Sequence, residues 1–402
     1  MIIPFSPPDI TEAEIQEVVA ALRSGWITTG IRVREFERRL AEYIGTDKVV
    51  CTNSQTSAME LVLRILGIGE GDEVLVPAYT YTATASVVYH TGAKIVMLDV
   101  APGTFELDYD SIADKITEKT KAILPVDIGG KMCDYERIFA EVEKKKALFR
   151  PKNELQESFG RVIVCADSAH GFGASLRGRR SGAWADFTTF SFHAVKNLTT
   201  GDGGAITWRS REGLDSASLY RIFSLYSLHG QDKDAVQRNR LGGWEYDVLY
   251  PAYKCNMTDT LAAIGIKQLE RYPEMLAKRR AVAKKYDEAF SNLGVSSLLH
   301  FGADYESNCH LYMVRLPTAG EAERNRIIEE MAQRGVACNV HFKPLPMMTA
   351  YKNLGFDIKD FPVSYRQYQN EITLPLYSSL SEEAADYVSR AFTDVICGFI
   401  KK

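Results

Sequence analysis

Lys196 stands in DFTTFSFHAVKNLTTGDGGAI, residues 186–206. A run rich in Phe and Thr reaches Ser-Phe-His, then the lysine, then a turn in which Gly201, Gly203 and Gly204 permit a tight backbone. An amine flanked by aliphatic residues at a strand end is poorly solvated. Its pKa falls, and it becomes a usable nucleophile toward aldehydes. A lysine that snorkels from a surface loop is the plain alternative for this residue alone. Upstream, Asp167 directly follows the apolar run Val162-Ile163-Val164-Cys165-Ala166. Open parallel sheets bind ligands at the carboxyl ends of their strands. An acid there can pair with a protonated pyridine nitrogen, although an Asp that only caps a turn is common. The lysine and the acid together say more than either alone.

Two further segments carry chemistry. CTNSQTSAMEL, residues 51–61, turns from a strand through hydroxyl residues into a helix. A helix N-terminus offers free N–H groups and a positive dipole end to phosphate, with Thr56 and Ser57 adding hydroxyls. The same residues would also make an ordinary N-cap. In PAYTYTATAS, residues 77–86, Tyr81 lies just past a strand and could stack on a flat ring or simply pack.

The elements that must position these residues alternate. KVVCTNS, DEVLVPA, KIVMLDV, KAILPVDI and RVIVCAD read as strands, separated by helical patterns such as SAMELVLRILGIG and YTATASVVYHTGA. The reading is α/β, with a mainly parallel sheet between helices and right-handed crossovers. Ahead of it lie two helices. TEAEIQEVVAALRSG has Ile15, Val18, Val19 and Leu22 at helical spacing, and VREFERRLAEYIG ends at Gly45. EKKKALFRPKNELQESFG reads as an exposed extension without a catalytic role. After Arg271 the pattern changes to a long helix EMLAKRRAVAKKYDEAFSNL, strands HLYMVRLP and VACNVHF, and a closing helix. This predicts a large domain over 1–272 and a smaller α+β domain over 273–402.

Composition excludes several classes. The chain has 402 residues, 46% hydrophobic and 25% charged, with a formal net charge of −4. It is neither disordered nor strongly basic, so nucleic acid is not an expected partner. No apolar stretch is long enough for a membrane span, and the first residues lack a secretory signal, so a cytoplasmic location is expected. Seven cysteines without a CxxC pair predict reduced, mostly buried thiols and no metal site.

With these segments in order, the chain resembles the DegT-type nucleotide-sugar aminotransferases, a branch of the fold-type I pyridoxal-phosphate enzymes. The resemblance runs from GWITTG through NSQTSAMEL, GDEVLVPAYTYTATA, CADSAHGFGASLRG, SFHAVKNLTTGDGG and YKCNMTDTLAAIGIKQL to NVHFKPLP and ITLPLYSSLSEEA. It implies pyridoxal 5'-phosphate as cofactor, Lys196 as the Schiff-base lysine and Asp167 as the partner of the pyridine nitrogen. It implies Tyr81 stacked on the ring, His170 beside the ring hydroxyl, and Thr56, Ser57 and Ser191 around the phosphate. Lys254 and Asn256 fall on a segment that reaches the neighbouring subunit's phosphate in the family, so a homodimer with shared active sites is implied. Gln55 stands where many relatives have Gly, and Lys254-Cys255-Asn256 replaces a commoner Asn-Tyr-Arg.

The implied reaction moves an amine from an amino acid, typically L-glutamate, to the keto group of a nucleotide-linked sugar. His193 is near the cofactor by connectivity. His229, His310 and His341 lie in segments that approach the sugar in relatives, and Trp26 and Thr28 on a loop are further substrate candidates. His90 and His300 are read as structural. Three other readings compete: a sugar dehydratase of the same fold, an amino-acid-directed enzyme such as a decarboxylase or desulfurase, and a regulatory DNA-binding protein. The dehydratases replace the lysine with His, which Lys196 argues against. The sugar-type motifs argue against the second reading. The acidic balance argues against the third.

Overall fold

The structure is a computed structural model, and it describes residues 1–233, 241, 242 and 244–400. Its central sheet has seven strands: β1 (Val49–Thr52), β2 (Glu73–Pro77), β3 (Lys94–Leu98), β4 (Thr120–Ile123), β5 (Ile163–Asp167), β8 (Phe187–Ser191) and β9 (Gly204–Trp208). The spatial order is β1-β9-β8-β5-β4-β2-β3. Strands β3, β2, β4, β5 and β8 are mutually parallel, and β9 runs antiparallel to both β8 and β1. Successive side chains in these strands alternate between two cores. Val74, Val76, Ile163 and Cys165 pack on one face with the helices Gln55–Ile65, Thr82–Thr91 and Ser216–Ser227. Leu75, Ile123, Val164 and Ala166 pack on the other with Ile138 and Val142 of the helix Tyr135–Lys144. A sheet buried on both faces requires the near-continuous apolar strands seen in the sequence.

Short strands supplement this sheet. β6 (Ser175–Leu176) pairs with β7 (Arg179–Arg180) and with β11 (Tyr305–Glu306). β10 (Ser296–Ser297), β12 (Tyr312–Arg315) and β13 (Glu371–Leu374) form a second antiparallel sheet. That sheet packs on Val282, Tyr286 and Phe290, on Ile327 and Met331, and on Val388 and Phe392, with Ile3 from the chain's beginning.

Several local expectations change. In the helix Glu12–Arg23, the buried positions are Glu14 and Ala21, while Ile15 and Leu22 are exposed. Glu14 is drawn inward because its carboxylate accepts from Gln268 Nε2 at 3.0 Å and Arg271 Nε at 2.7 Å. The long helix covers Asp259–Phe290 and runs through Pro273. VACNVHF forms no continuous strand; it makes isolated bridges, Val336 to Ile3 and Asn339 to Thr373. The 143–160 extension is not simply exposed. It carries the short helix Glu154–Phe159, and Phe149 and Phe159 are buried in the core. Among the described residues, no helix is long and apolar enough to cross a membrane.

Candidate active site

Asp167 ends β5 and Ser191 ends the adjacent parallel β8. The chain beyond β8 carries His193 and Lys196, closes through Gly201 in the left-handed region (φ 86°), and returns as β9. β1 and β2 end at the same edge of the sheet, and the helices Gln55–Ile65 and Thr82–Thr91 start there. Gly204 permits the closest approach: a Cβ on it would lie 2.3 Å from the Ser54 carbonyl carbon. Only glycine lets β9 press against the turn that opens the first of these helices.

The residues at this edge line a cavity of about 480 Å³. Asp167 is 4% exposed. Its carboxylate accepts from Thr84 Oγ1 at 2.7 Å and from the Ala169 N–H at 3.2 Å. No cationic side chain lies within ion-pair distance of it among the described residues. Burial pushes its pKa up, against the Thr84 and Ala169 bonds and the Lys196 charge. Burial moves Lys196 the other way, down to about 8, and the Asp167 charge opposes that fall. The Lys196 N–H donates to His193 O at 2.9 Å, which holds the loop in place.

At the helix end of the cavity, Ser54 Oγ accepts from the Ser57 N–H at 3.2 Å, and the Ala58 N–H donates to Ser54 O. The Gln55 and Thr56 N–H groups have no partner among the described residues. They remain available to an anion at the dipole's positive end. Gln55 turns inward: its Nε2 donates to Thr189 Oγ1 at 3.0 Å. The facing wall carries His170, His310, His341 and Phe342. The His170 ring stacks on Phe342 with centroids 5.9 Å apart, at an interplanar angle of 20°. Burial holds the pKa of all three histidines down, with His341 at about 3, so these rings are neutral.

Of the residues expected from sequence, Lys196, Asp167, Thr56, Tyr81, His170, Ser191, His193, His310 and His341 line this one cavity. Tyr81 is 62% exposed, its ring 6.2 Å from that of Phe342. Ser57 sits just behind the lining, its Oγ donating to Asn53 Oδ1 at 2.7 Å. Lys254 and Asn256 do not line this chain's cavity. Lys254 Nζ donates to Asn256 Oδ1, and Asn256 Nδ2 donates to Thr29 Oγ1. Asn256 bridges Thr52 at the end of β1, along the outer edge of the sheet. Trp26, Thr28 and His229 also stand outside it. Trp26 Nε1 donates to Thr29 O, Thr28 O accepts from the Asp259 N–H, and the His229 N–H donates to Tyr253 O.

Sequence reasoning missed Phe5, Ser6, Asn339 and Phe342 in the lining, and Thr84 and Asn197 behind it. Thr84 was within reach, since it lies one helical turn past Thr80 at the same strand end. Phe5 was not. It arrives from the chain's beginning and stacks on His341 with centroids 5.6 Å apart.

A buried acid without a cationic partner, an amine of low pKa and a free helix N-terminus around one cavity fit pyridoxal 5'-phosphate. Asp167 would meet the pyridine nitrogen, Lys196 the aldehyde, and Thr56 and Ser191 the phosphate. With the doubly covered parallel sheet, this defines a fold-type I pyridoxal-phosphate enzyme, and its cofactor is pyridoxal 5'-phosphate.

The model of the DegT/DnrJ/EryC1/StrS aminotransferase family matches residues 8–393. The spore coat polysaccharide biosynthesis protein SpsC of Bacillus subtilis (strain 168) is 35% identical, over 98% of this chain and 97% of SpsC. The solved structure of Spr1654 from Streptococcus pneumoniae in its PLP form, assigned as a sugar aminotransferase, is 51% identical. It has a TM-score of 0.95 and covers 99% of both chains. PseC of Helicobacter pylori, an aminotransferase of pseudoaminic acid biosynthesis, is 25% identical with a TM-score of 0.88. That match covers 99% of this chain and 100% of PseC. The chain belongs to the DegT/DnrJ/EryC1/StrS aminotransferase family, and its class is pyridoxal-phosphate-dependent sugar aminotransferase.

Proposed function

We propose that this protein moves the amino group of an amino acid, L-glutamate first among them, to the keto carbon of a nucleotide-linked sugar. The product would serve a cell-surface polysaccharide, a glycoconjugate or an antibiotic sugar. The observation that carries the chemistry is that Asp167 at the end of β5 and Lys196 on the loop after the adjacent parallel β8 line one cavity, one acid without a cationic partner among the described residues and one amine near pKa 8. The sugar side is supported by the polysaccharide role named for SpsC and by PseC.

Lys196 Nζ would hold the cofactor and would move the proton on and off the reacting carbon. Asp167 keeps the pyridine nitrogen protonated, and its position is held by Thr84 and the Ala169 N–H. Bound there, the cofactor supplies the electron sink for the carbon that gains or loses that proton. Thr56, Ser57 and Ser191 with the helix N-terminus would hold the phosphate, Tyr81 would cover the ring, and His170 would donate to the ring oxygen. His193, His310 and His341 face the substrate. Lys254 and Asn256 serve the phosphate of a second copy in a homodimer, and Trp26, Thr28 and His229 approach the substrate across that interface. Trp244, 78% exposed, and the open Tyr81 support such a cover. We further propose a cytoplasmic location, and a cofactor-binding part over 1–272 with a smaller part over 273–402. The test is a panel of nucleotide-linked 4-keto and 3-keto sugars offered with L-glutamate, with mass detection of the amino sugar. Amination at C4 is the expected outcome. Bleaching of the cofactor by cysteine, with no response to glutamate plus any keto sugar, would sink the reading.

A further inference from the structure

The cavity wall holds two imidazoles with ring centroids 4.4 Å apart, His170 and His310. One hydrogen bond at Nδ1 decides the tautomer of each. The Gly129 N–H donates to His170 Nδ1 at 3.3 Å. A backbone N–H can only donate, so His170 Nδ1 carries the lone pair and Nε2 the proton. His310 Nδ1 lies 2.9 Å from Asn197 Oδ1. The orientation of that amide is set independently, because Asn197 Nδ2 donates to the Asn308 carbonyl at 2.8 Å, and a carbonyl can only accept. Oδ1 therefore faces the imidazole, His310 Nδ1 carries the proton, and Nε2 is bare. Neither Nε2 has a hydrogen-bond partner among the described residues, and both rings line the cavity.

We propose that Asn197 is a positioning residue, which locks His310 in the Nδ1–H tautomer so that its bare Nε2 accepts from a hydroxyl of the substrate. In the reading above the one N–H of His170 donates to the cofactor's ring oxygen, which leaves His310 Nε2 as the acceptor that faces the substrate. This rests on the sugar reading above. A hydroxyl fits better than an ammonium, because the Lys196 charge that disfavours a proton on His310 would repel a second cation there. Asn197 is 4% exposed and adjoins Lys196 in the chain, so one loop places the amine and sets the tautomer.

The tautomers can be read directly in the holoenzyme by nitrogen-15 NMR of labelled histidine. The expected spectrum has His310 protonated at Nδ1 and bare at Nε2, and a mixed or reversed tautomer in Asn197→Ala. Asn197→Asp keeps the volume and an acceptor toward His310, so Nδ1 should stay protonated; it loses the donor to the Asn308 carbonyl, and circular dichroism against wild type shows whether it folds. The two half-reactions are then followed separately by cofactor absorbance. L-glutamate probes one, and UDP- and dTDP-linked 4-keto-6-deoxy sugars the other. In Asn197→Ala and His310→Phe, the sugar half-reaction should fall about tenfold or more beyond any fall in the glutamate half-reaction. His310→Gln, which restores an acceptor, should recover part of that loss. An Nε2-protonated His310 in the wild type, or an equal fall in both half-reactions, overturns the proposal. If wild type accepts glutamate but no keto sugar, the sugar reading and the hydroxyl assignment fall together. The tautomer spectrum still decides the role of Asn197.

Discussion

Asp167 and Lys196 are each pulled two ways, and the balance is what makes them useful. Burial favours the neutral form of both, while each charge favours ionisation of the other. An amine attacks an aldehyde only when unprotonated. On the cofactor-free chain, covalent capture of pyridoxal phosphate should therefore rise with pH through a midpoint of about 8. A solvated lysine would need about 10.4, and a midpoint there in stopped-flow absorbance would contradict the buried environment. Lys196→Ala should abolish turnover and the borohydride-trapped lysine adduct. Asp167→Asn removes one charge of a desolvated pair, a loss of about 3–5 kcal/mol. Steady-state kcat should drop about 10²–10⁴-fold, with the protein still folded. Both residues stood out in the sequence because Asp167 ends an apolar run and Lys196 follows shortly after another strand, and strand ends are where open sheets bind ligands. Asn197 was visible only as the neighbour of the lysine. Its partners, Asn308 and His310, lie more than a hundred residues away in the chain.

The alternation of strands and helices was legible because each strand buries both faces and each helix one. What escaped were places where distant contacts override local preference. Proline costs a helix interior about 3 kcal/mol, so the sequence suggests a helix beginning after Pro273. The helix Asp259–Phe290 runs through it because packing grips both sides. Tyr272 is fully buried, with its hydroxyl donating to Phe172 O at 2.6 Å, and Leu276 joins the same cluster. The start of this helix organises another. The Asp259 carboxylate accepts from the N–H groups of Gly30 at 2.8 Å, Val33 at 3.0 Å and Arg32 at 3.2 Å. It thereby caps the helix Ile31–Ile44, whose own N-cap is a glycine without a side chain. Asp259→Ala strands these donors and should destabilise the fold by about 2–4 kcal/mol, read as a lower midpoint in urea. An unchanged midpoint would mean that solvent replaces the cap.

For the whole molecule, the decisive matter is whether a site belongs to one chain. Lys254 and Asn256 are held beside the end of β1, outside the lining of their own chain's cavity. In a homodimer with shared sites, Lys196→Ala and the double variant Lys254→Ala/Asn256→Ala should each be inactive alone. Mixed and allowed to exchange subunits, they should regain about a quarter of wild-type turnover, since half the dimers are mixed and each mixed dimer has one intact site. No recovery in mixtures shown by native mass spectrometry to contain heterodimers would assign both residues to a structural role. The proposed homodimer rests on the family resemblance alone, because a single chain's periodicity carries no record of its neighbours.

The first six residues have a consequence of a different kind. Ile3 is bonded on both sides, its N–H to Gly335 O at 2.7 Å and its carbonyl to the Ala337 N–H at 3.0 Å. This carries Phe5 onto His341 and Ser6 Oγ to Val195 O, one residue before the lysine. A purification tag fused ahead of Met1 would be anchored a few residues from the catalytic chamber, where its bulk and charge could alter substrate entry without touching a catalytic group. Kinetic comparisons between preparations of this enzyme are meaningful only when their amino-terminal extensions are the same.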